Sequence, residues 1–345
     1  MTIKNMDFLN NMKIAVIGAG AIGNLVAGYL KLKNQAVCLI GRAHSVEAVK
    51  KNGLNISGVR GSATINLEVG ERLQEKPDLA ILAVKTQDLE KALVDNLPFL
   101  KETCLLTTQN GVQADTIASQ HISKENIVSS IVMFGSTFLE EGKVIHNFEG
   151  SWIIGKMFEP NGSSVNILYG LLNCISPTII TTGIRGMKYL KIFVNANNCI
   201  PAILGMSMQE AFGDQRISSI SIGIWKEGLN IATKSKVTLT SLPDFPVERV
   251  TGLATMPLDQ AAKIFSGIMV NLSKEPLYGS ILQSIKRGRY SEIDFINGEF
   301  VNLAQKNNIR APLNQKLVEM VHEVERTNTF FSKETLLAET EKLIP

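Results

Sequence analysis

The clearest apolar run near the start of the chain is Ile14-Ala15-Val16-Ile17, which passes directly into Gly18-Ala19-Gly20-Ala21-Ile22-Gly23. Uncharged and β-branched at three of its four positions, the run predicts a strand buried on both faces, as in a parallel sheet. From Asn24 to Lys33 the period changes, and Leu25, Val26, Tyr29 and Leu30 fall on one side of a helix. Further apolar runs predict strands at 36–40, 79–84, 104–108 and 127–133. Looser alternation over 54–69 suggests short extra strands. The runs 144–146 and 152–155, on either side of Gly150, predict a hairpin that finishes the sheet. From about residue 185 helical periods take over. One helix is predicted over 188–204, with Pro201 as a late kink. One or two more fall in 208–236, then 258–271, 280–286, 292–306 and 313–327, and a short one after Ser332. The stretch 238–258, with Pro243, Pro246 and Pro257, reads as an irregular loop.

The first strand, its glycines and the following helix form one unit. In G-x-G-x-x-G, Gly18 permits a tight turn, Gly20 lets a pyrophosphate approach the backbone, and Gly23 lets helix pack on strand. The helix start supplies free N–H groups and a positive dipole end for phosphate. The reading is a dinucleotide site spanning Gly18, Ala19, Gly20, Ala21, Ile22 and Gly23. The second strand ends in Gly41-Arg42, with no carboxylate for ribose hydroxyls. A guanidinium there can hold a 2′-phosphate, which favours NADP(H) over NAD. The strands ending near Val84 and Thr108 carry Lys85-Thr86-Gln87-Asp88 and Gln109-Asn110-Gly111 at the ligand edge of an open α/β sheet. In the second half, Lys191, Asn195 and Asn198 are spaced i, i+4, i+7 among Ile192, Phe193, Val194 and Ile200. Such a stripe is either the wet side of a surface helix or the wall of a polar pocket, since buried polar groups without partners are costly.

At 345 residues the chain predicts two domains. A net charge of +3 with scattered lysines and arginines argues against nucleic acid or an anionic membrane as partner. The four cysteines form no C-x-x-C and the four histidines have no metal-ligand spacing, so neither a disulfide framework nor a metal is expected. His146, inside the expected hairpin, reads as structural. Residues 1–11 are a short polar extension without a signal-peptide core, and no apolar run approaches membrane-spanning length, so a cytoplasmic protein is expected.

G-A-G-A-I-G, V-K-T-Q-D, Q-N-G-V, K-x-x-x-N and S-E-I-D-F-I-N-G occur together in this order. The set resembles the ketopantoate reductase (2-dehydropantoate 2-reductase) family over roughly residues 12–328. The resemblance implies an α/β Rossmann domain, 1–184, followed by an all-helical domain, 185–345, used for substrate and dimerisation. It implies NADPH-dependent reduction of 2-dehydropantoate to pantoate. By position, Gly18 to Gly23 would bind the pyrophosphate, Arg42 the 2′-phosphate, and Lys85 and Gln87 would line the cofactor pocket. Asn110 would contact the nicotinamide half and the substrate. Lys191 matches the general acid, Asn195 a substrate-binding asparagine, Ser280 a substrate-binding serine, and Glu292 a glutamate that reaches the cofactor. Some members carry a second asparagine eight residues after the lysine. Here that place is Cys199, and Asn198, one residue earlier, is the substrate-binding candidate. The partner is a small 2-oxo acid, and a homodimer is the assembly the resemblance allows.

The chemistry agrees with these types. Hydride addition to a ketone leaves an alkoxide, which needs a positioned cation and a proton; a lysine supplies both. No G-x-S-x-G follows a strand, so a serine hydrolase is unsupported. Two alternatives stay open: a related dehydrogenase for another hydroxy acid or a polyol phosphate, and a non-catalytic NADP(H) sensor. The presence of Lys191, Asn195 and Glu292 argues against the sensor.

Overall fold

A computed structural model describes residues 12–345. The polar stretch 1–11 lies outside the described residues. The chain forms two compact units, one ending at Ile184 and one spanning Arg185–Pro345.

The first unit holds an eight-stranded sheet in the order β12-β11-β8-β7-β6-β1-β2-β5. Its central strands are β1 (Lys13–Ile17), β2 (Ala36–Ile40), β6 (Leu79–Leu82), β7 (Cys104–Thr107) and β8 (Ile127–Val132), all parallel to their neighbours in that group. β5 (Glu68–Gly70) extends one edge, and β11 (Trp152–Gly155) runs antiparallel to β8 with β12 (Thr178–Ile180) beyond it. Alternate residues of one strand serve opposite faces: Ile14 and Val16 enter one apolar cluster, Ala15 and Ile17 the other. That is why these strands read as unbroken apolar runs. Two polar residues buried in them, Thr107 and Ser129, share one partner. Asp115 accepts from Thr107 Oγ1 at 2.8 Å and Ser129 Oγ at 2.9 Å.

A second sheet, ordered β4-β3-β10-β9, combines β3 (Leu54–Gly58), β4 (Ala63–Ile65), β9 (Gly135–Glu140) and β10 (Lys143–Phe148). It packs on α1 (Ala21–Leu32). The expected hairpin of 144–146 with 152–155 is therefore wrong. The first run pairs with β9 and β3 in this small sheet, and the second pairs with β8 and β12 in the large one. Burial explains the split: Val144 and His146 face inward on a one-sided sheet, whereas all four residues of 152–155 are buried. His146 is structural as read. It is buried, and its Nδ1 lies 2.8 Å from the Tyr29 hydroxyl.

The second unit is helical. Its long α9 (Gln215–Lys234) packs against α10 (Val247–Thr255), α11 (Leu258–Val270), α13 (Asn297–Lys306) and α14 (Pro312–Thr327). Aromatic edges lock the centre: Phe193 meets Phe300 with ring centroids 4.9 Å apart, and Trp225 meets Phe265 at 5.4 Å. The buried Glu227 carboxylate caps α14 from a distance, accepting the Leu313 and Asn314 N–H groups at 3.0 and 2.8 Å.

Three readings of this unit need correction. The stretch 188–204 is not one helix. α6 (Ile184–Ala196) ends before Asn197-Asn198, and α7 (Cys199–Leu204) starts anew with Asn198 as its N-cap. Pro201 then sits in the first turn of α7, where its missing N–H breaks no helical bond. The Trp225 indole donates to the Phe193 carbonyl at 2.8 Å, satisfying one of the acceptors in the last turn of α6. The stretch 238–258 is not wholly irregular, because it contains α10, with Pro246 as its N-cap. Likewise Glu292 precedes α13 and leads into a 3-10 turn, Ile293–Phe295.

Candidate active site

The first unit gathers its candidates by strand register. Ile17 pairs with Ile40 and with Leu82, and Leu82 pairs with Thr107. The residues that follow these strands, Gly18, Arg42, Lys85 and Asn110, therefore leave the sheet along one edge. β1 lies where the chain order reverses, with β2 on one side and β6 on the other. This is the switch point at which open α/β sheets take ligands.

Each glycine of the loop meets a different constraint. Gly18 has φ +121°, and a Cβ there would lie 2.5 Å from the Val84 nitrogen. A Cβ on Gly23 would lie 1.8 Å from the Gly18 carbonyl oxygen, so α1 can cross the loop only at a glycine. Gly20 differs, because a Cβ there meets nothing within 4 Å. Packing of the protein does not require that glycine, and the space above it is open for a ligand. Gly20 is also the N-cap of α1 and makes no side-chain cap bond, as a phosphate site at a helix start needs. The buried Asn24 braces the loop through Nδ2 to the Ala19 carbonyl at 3.0 Å. These residues fit a dinucleotide pyrophosphate.

Arg42 is the N-cap of α2 (Ala43–Asn52) and its side chain is 65 % exposed. Its Nη2 lies 3.4 Å from Asp88 Oδ2, in the first turn of α3 (Thr86–Leu100). Lys85 is the N-cap of α3, and Gln87 is exposed on its first turn. Asn110 lies in the turn between β7 and α4 (Gln113–Ser119), ahead of Gly111 at φ +78°. Sequence reasoning assigned no role to its neighbour Gln109. That buried amide donates to the Leu82 and Val84 carbonyls at 2.8 and 2.9 Å and accepts from the Thr108 N–H at 3.1 Å. It ties the loop that carries Asn110 to the loop that leads to Lys85.

In the second unit, Lys191 and Asn195 sit one turn apart on α6. The Lys191 ammonium is brought down to about 8, chiefly by desolvation and then by the like charge of Lys188, with Glu292 opposing both. Lys188 itself is buried. Asn198 is not on the helix as expected but in the turn after it, with its N–H on the Asn195 carbonyl at 2.9 Å. It packs against Gly279, where a Cβ would lie 3.1 Å from the Asn198 side chain. Ser280, the first residue of α12 (Ser280–Ile285), follows directly. The second unit thus brings Lys191 under the charge of Glu292 and sets Asn198 beside the segment of Ser280. Cys199, eight residues after Lys191, is fully buried, with the Asn297 side chain within hydrogen-bonding reach of its thiol. Among the described residues no cluster of His, Cys, Asp or Glu could hold a metal ion, and no helix is long and apolar enough to cross a membrane.

A glycine loop at a sheet switch point, followed by a helical unit with a half-buried lysine of lowered pKa, fits one class: a two-unit oxidoreductase with a dinucleotide-binding half. Residues 14–159 match the family described as Ketopantoate reductase PanE/ApbA, and residues 183–325 match its C-terminal part. The 2-dehydropantoate 2-reductase of Pyrococcus horikoshii is 31% identical over 306 residues, covering 88% of this chain and 94% of that one. Among solved structures, D-mandelate dehydrogenase with NADH and anilino(oxo)acetate superposes with a TM-score of 0.78 at 24% identity, covering 92% of this chain and 100% of that one. A PanE/ApbA family ketopantoate reductase from Ralstonia eutropha JMP134 gives 0.77 at 22%, covering 92% and 99%. The chain belongs to the ketopantoate reductase family and is an oxidoreductase acting on CH–OH groups.

Proposed function

We propose that the chain reduces a 2-oxo acid to the 2-hydroxy acid with NADPH, with 2-dehydropantoate as the substrate and pantoate as the product. The observation that carries this reading is Lys191, a lysine brought to about 8 on the same helix face as Asn195 and under the charge of Glu292. A donor with that pKa is protonated in much of its population at neutral pH and still gives up its proton readily. The nicotinamide, when bound, supplies the hydride. Lys191 stabilises the charge developing on the ketone oxygen and donates the proton to it. Asn195, Asn198 and Ser280 orient the hydroxyl and carboxylate of the acid without adding charge. Asn110, held by Gln109, serves the nicotinamide end, and Glu292 binds the cofactor from the second unit. Gly18 to Gly23 hold the pyrophosphate, with Lys85 and Gln87 beside it.

The test is oxidation of NADPH, followed by its absorbance, against a panel of 2-oxo acids. 2-Dehydropantoate should give the highest kcat/KM, above 2-oxoisovalerate, pyruvate and phenylglyoxylate. Preference for phenylglyoxylate would move the chain to the alternative, a dehydrogenase of another hydroxy acid. Binding of NADPH without oxidation by any acid would leave only a sensor.

The choice of NADPH rests on Arg42. A charge-assisted contact to phosphate contributes about 1.5–3 kcal/mol, so Arg42→Asp should raise the KM for NADPH roughly 10- to 150-fold. The KM for NADH should change far less. Asp88, whose carboxylate is the present partner of Arg42, would have to yield to the phosphate. A wild type that prefers NADH would remove this assignment.

A further inference from the structure

We propose that His322 is a positioning residue that, as an imidazolium, clamps the turn bearing Glu292. The inference rests on the reading that places Glu292 and Lys191 in the active site. His322 lies on α14, and both of its ring nitrogens face carboxylates. Nδ1 is 3.0 Å from Glu325 Oε2, and Nε2 is 2.9 Å from Asp294 Oδ1. A carboxylate only accepts, and a neutral imidazole has one N–H. Both contacts are hydrogen bonds only when the ring carries both protons.

The two carboxylates lead to either side of Glu292. The Glu325 side chain is 2% exposed, and its second oxygen, Oε1, accepts the Ser291 backbone N–H at 2.7 Å. Ser291 Oγ in turn accepts the Ile293 N–H at 3.3 Å. Asp294 belongs to the 3-10 turn that begins at Ile293. One helix therefore grips the residue before Glu292 through Glu325 and the turn after it through Asp294, and His322 joins the two grips. The position of the Glu292 carboxylate matters because it holds the Lys191 ammonium up against burial and Lys188.

The electrostatics agree with the geometry. Burial works to lower the His322 pKa, but hydrogen bonds and charge from Asp294 and Glu325 outweigh it and hold the ring above its ordinary value of 6.5. These two carboxylates, one from its own helix and one from the preceding turn, are the charged groups that act on it. Because the folded value is raised, the stabilisation is fully present below the unfolded pKa and is lost as pH rises through the folded one. Above that point the neutral ring turns a lone pair toward one carboxylate, and the turn loosens.

The experiment uses the full chain without substrate. Imidazole NMR titration gives the His322 pKa, and hydrogen exchange gives the protection factor of the Ser291 and Ile293 amides across pH. In the wild type, His322 should titrate above 6.5, and protection at Ser291 should fall with the same midpoint. His322→Gln should show low protection at every pH and a several-fold raised Kd for NADPH, measured by direct binding. His322→Lys keeps a cation that does not titrate near neutrality, so its protection should stay high through the range where the wild type loses it. A His322 pKa at or below 6.5, or Ser291 protection independent of pH and of the Gln substitution, would overturn the proposal. Neither readout needs a reducible acid, so failure of the substrate panel and failure of the clamp are distinguishable.

Discussion

Lys191→Ala should lower turnover by roughly 10²- to 10⁴-fold, the usual loss on removing a positioned acid, while the chain still folds and binds NADPH. Cofactor affinity is expected to hold because the glycine loop, Arg42, Lys85 and Gln87 belong to the other unit. The substitution also removes a cation that burial and Lys188 both oppose, so melting temperature should not fall in step with activity. Arginine at this position should not rescue turnover. It keeps the charge, but its guanidinium does not give up a proton in the working range. A lysine that merely wetted a helix face would leave turnover within a few-fold of wild type. Turnover, NADPH affinity and melting temperature on the alanine and arginine variants separate the two cases.

The second large effect is a contrast within the glycine loop. Gly20→Ala should leave stability near wild type and weaken NADPH by roughly 10- to 100-fold, as expected for about 1–3 kcal/mol of steric conflict. Its Cβ meets no protein atom within 4 Å and enters the space open to a pyrophosphate. Gly18→Ala should instead damage the fold. Its backbone stands at φ +121°, and the new Cβ would fall 2.5 Å from the Val84 nitrogen. Strain and overpacking each cost roughly 1–3 kcal/mol, so melting temperature and cofactor binding should fall together. Thermal melts with and without NADPH on the two variants check this. Equal destabilisation by both would mean that Gly20, too, is needed for packing.

The same loop was readable from sequence because its constraints are local: a strand, a turn and a helix within about a dozen residues. Strand ends were readable for a related reason, since parallel strands of similar length put their following loops on one edge. The failures trace to long-range partners. The stretch 144–155 looks like a hairpin in sequence, yet its two runs join different sheets, and one-sided burial in 143–148 was the signal that distinguished them. The stop at Ala196 involves the Trp225 indole on another helix, so apolar spacing around Lys191 ran past it. Pro246 looked like a breaker but starts a helix. Lys191 and Asn195 could be picked out by their spacing. The influence of Glu292 on Lys191 could not, because Glu292 is about a hundred residues away in sequence. Gln109 escaped because an amide bonding two loop carbonyls leaves no pattern in the chain.

The most direct measurement of the central claim is the pH dependence of kcat for 2-oxo acid reduction in three proteins: wild type, Glu292→Gln and Lys188→Met. If Lys191 donates the proton, wild-type turnover falls as pH rises through about 8, where the ammonium is lost. Glu292 holds that value up and Lys188 holds it down. The alkaline limb should therefore move to lower pH in Glu292→Gln and to higher pH in Lys188→Met. A limb that stays at one pH in all three proteins, or no limb at all, would contradict Lys191 as the acid.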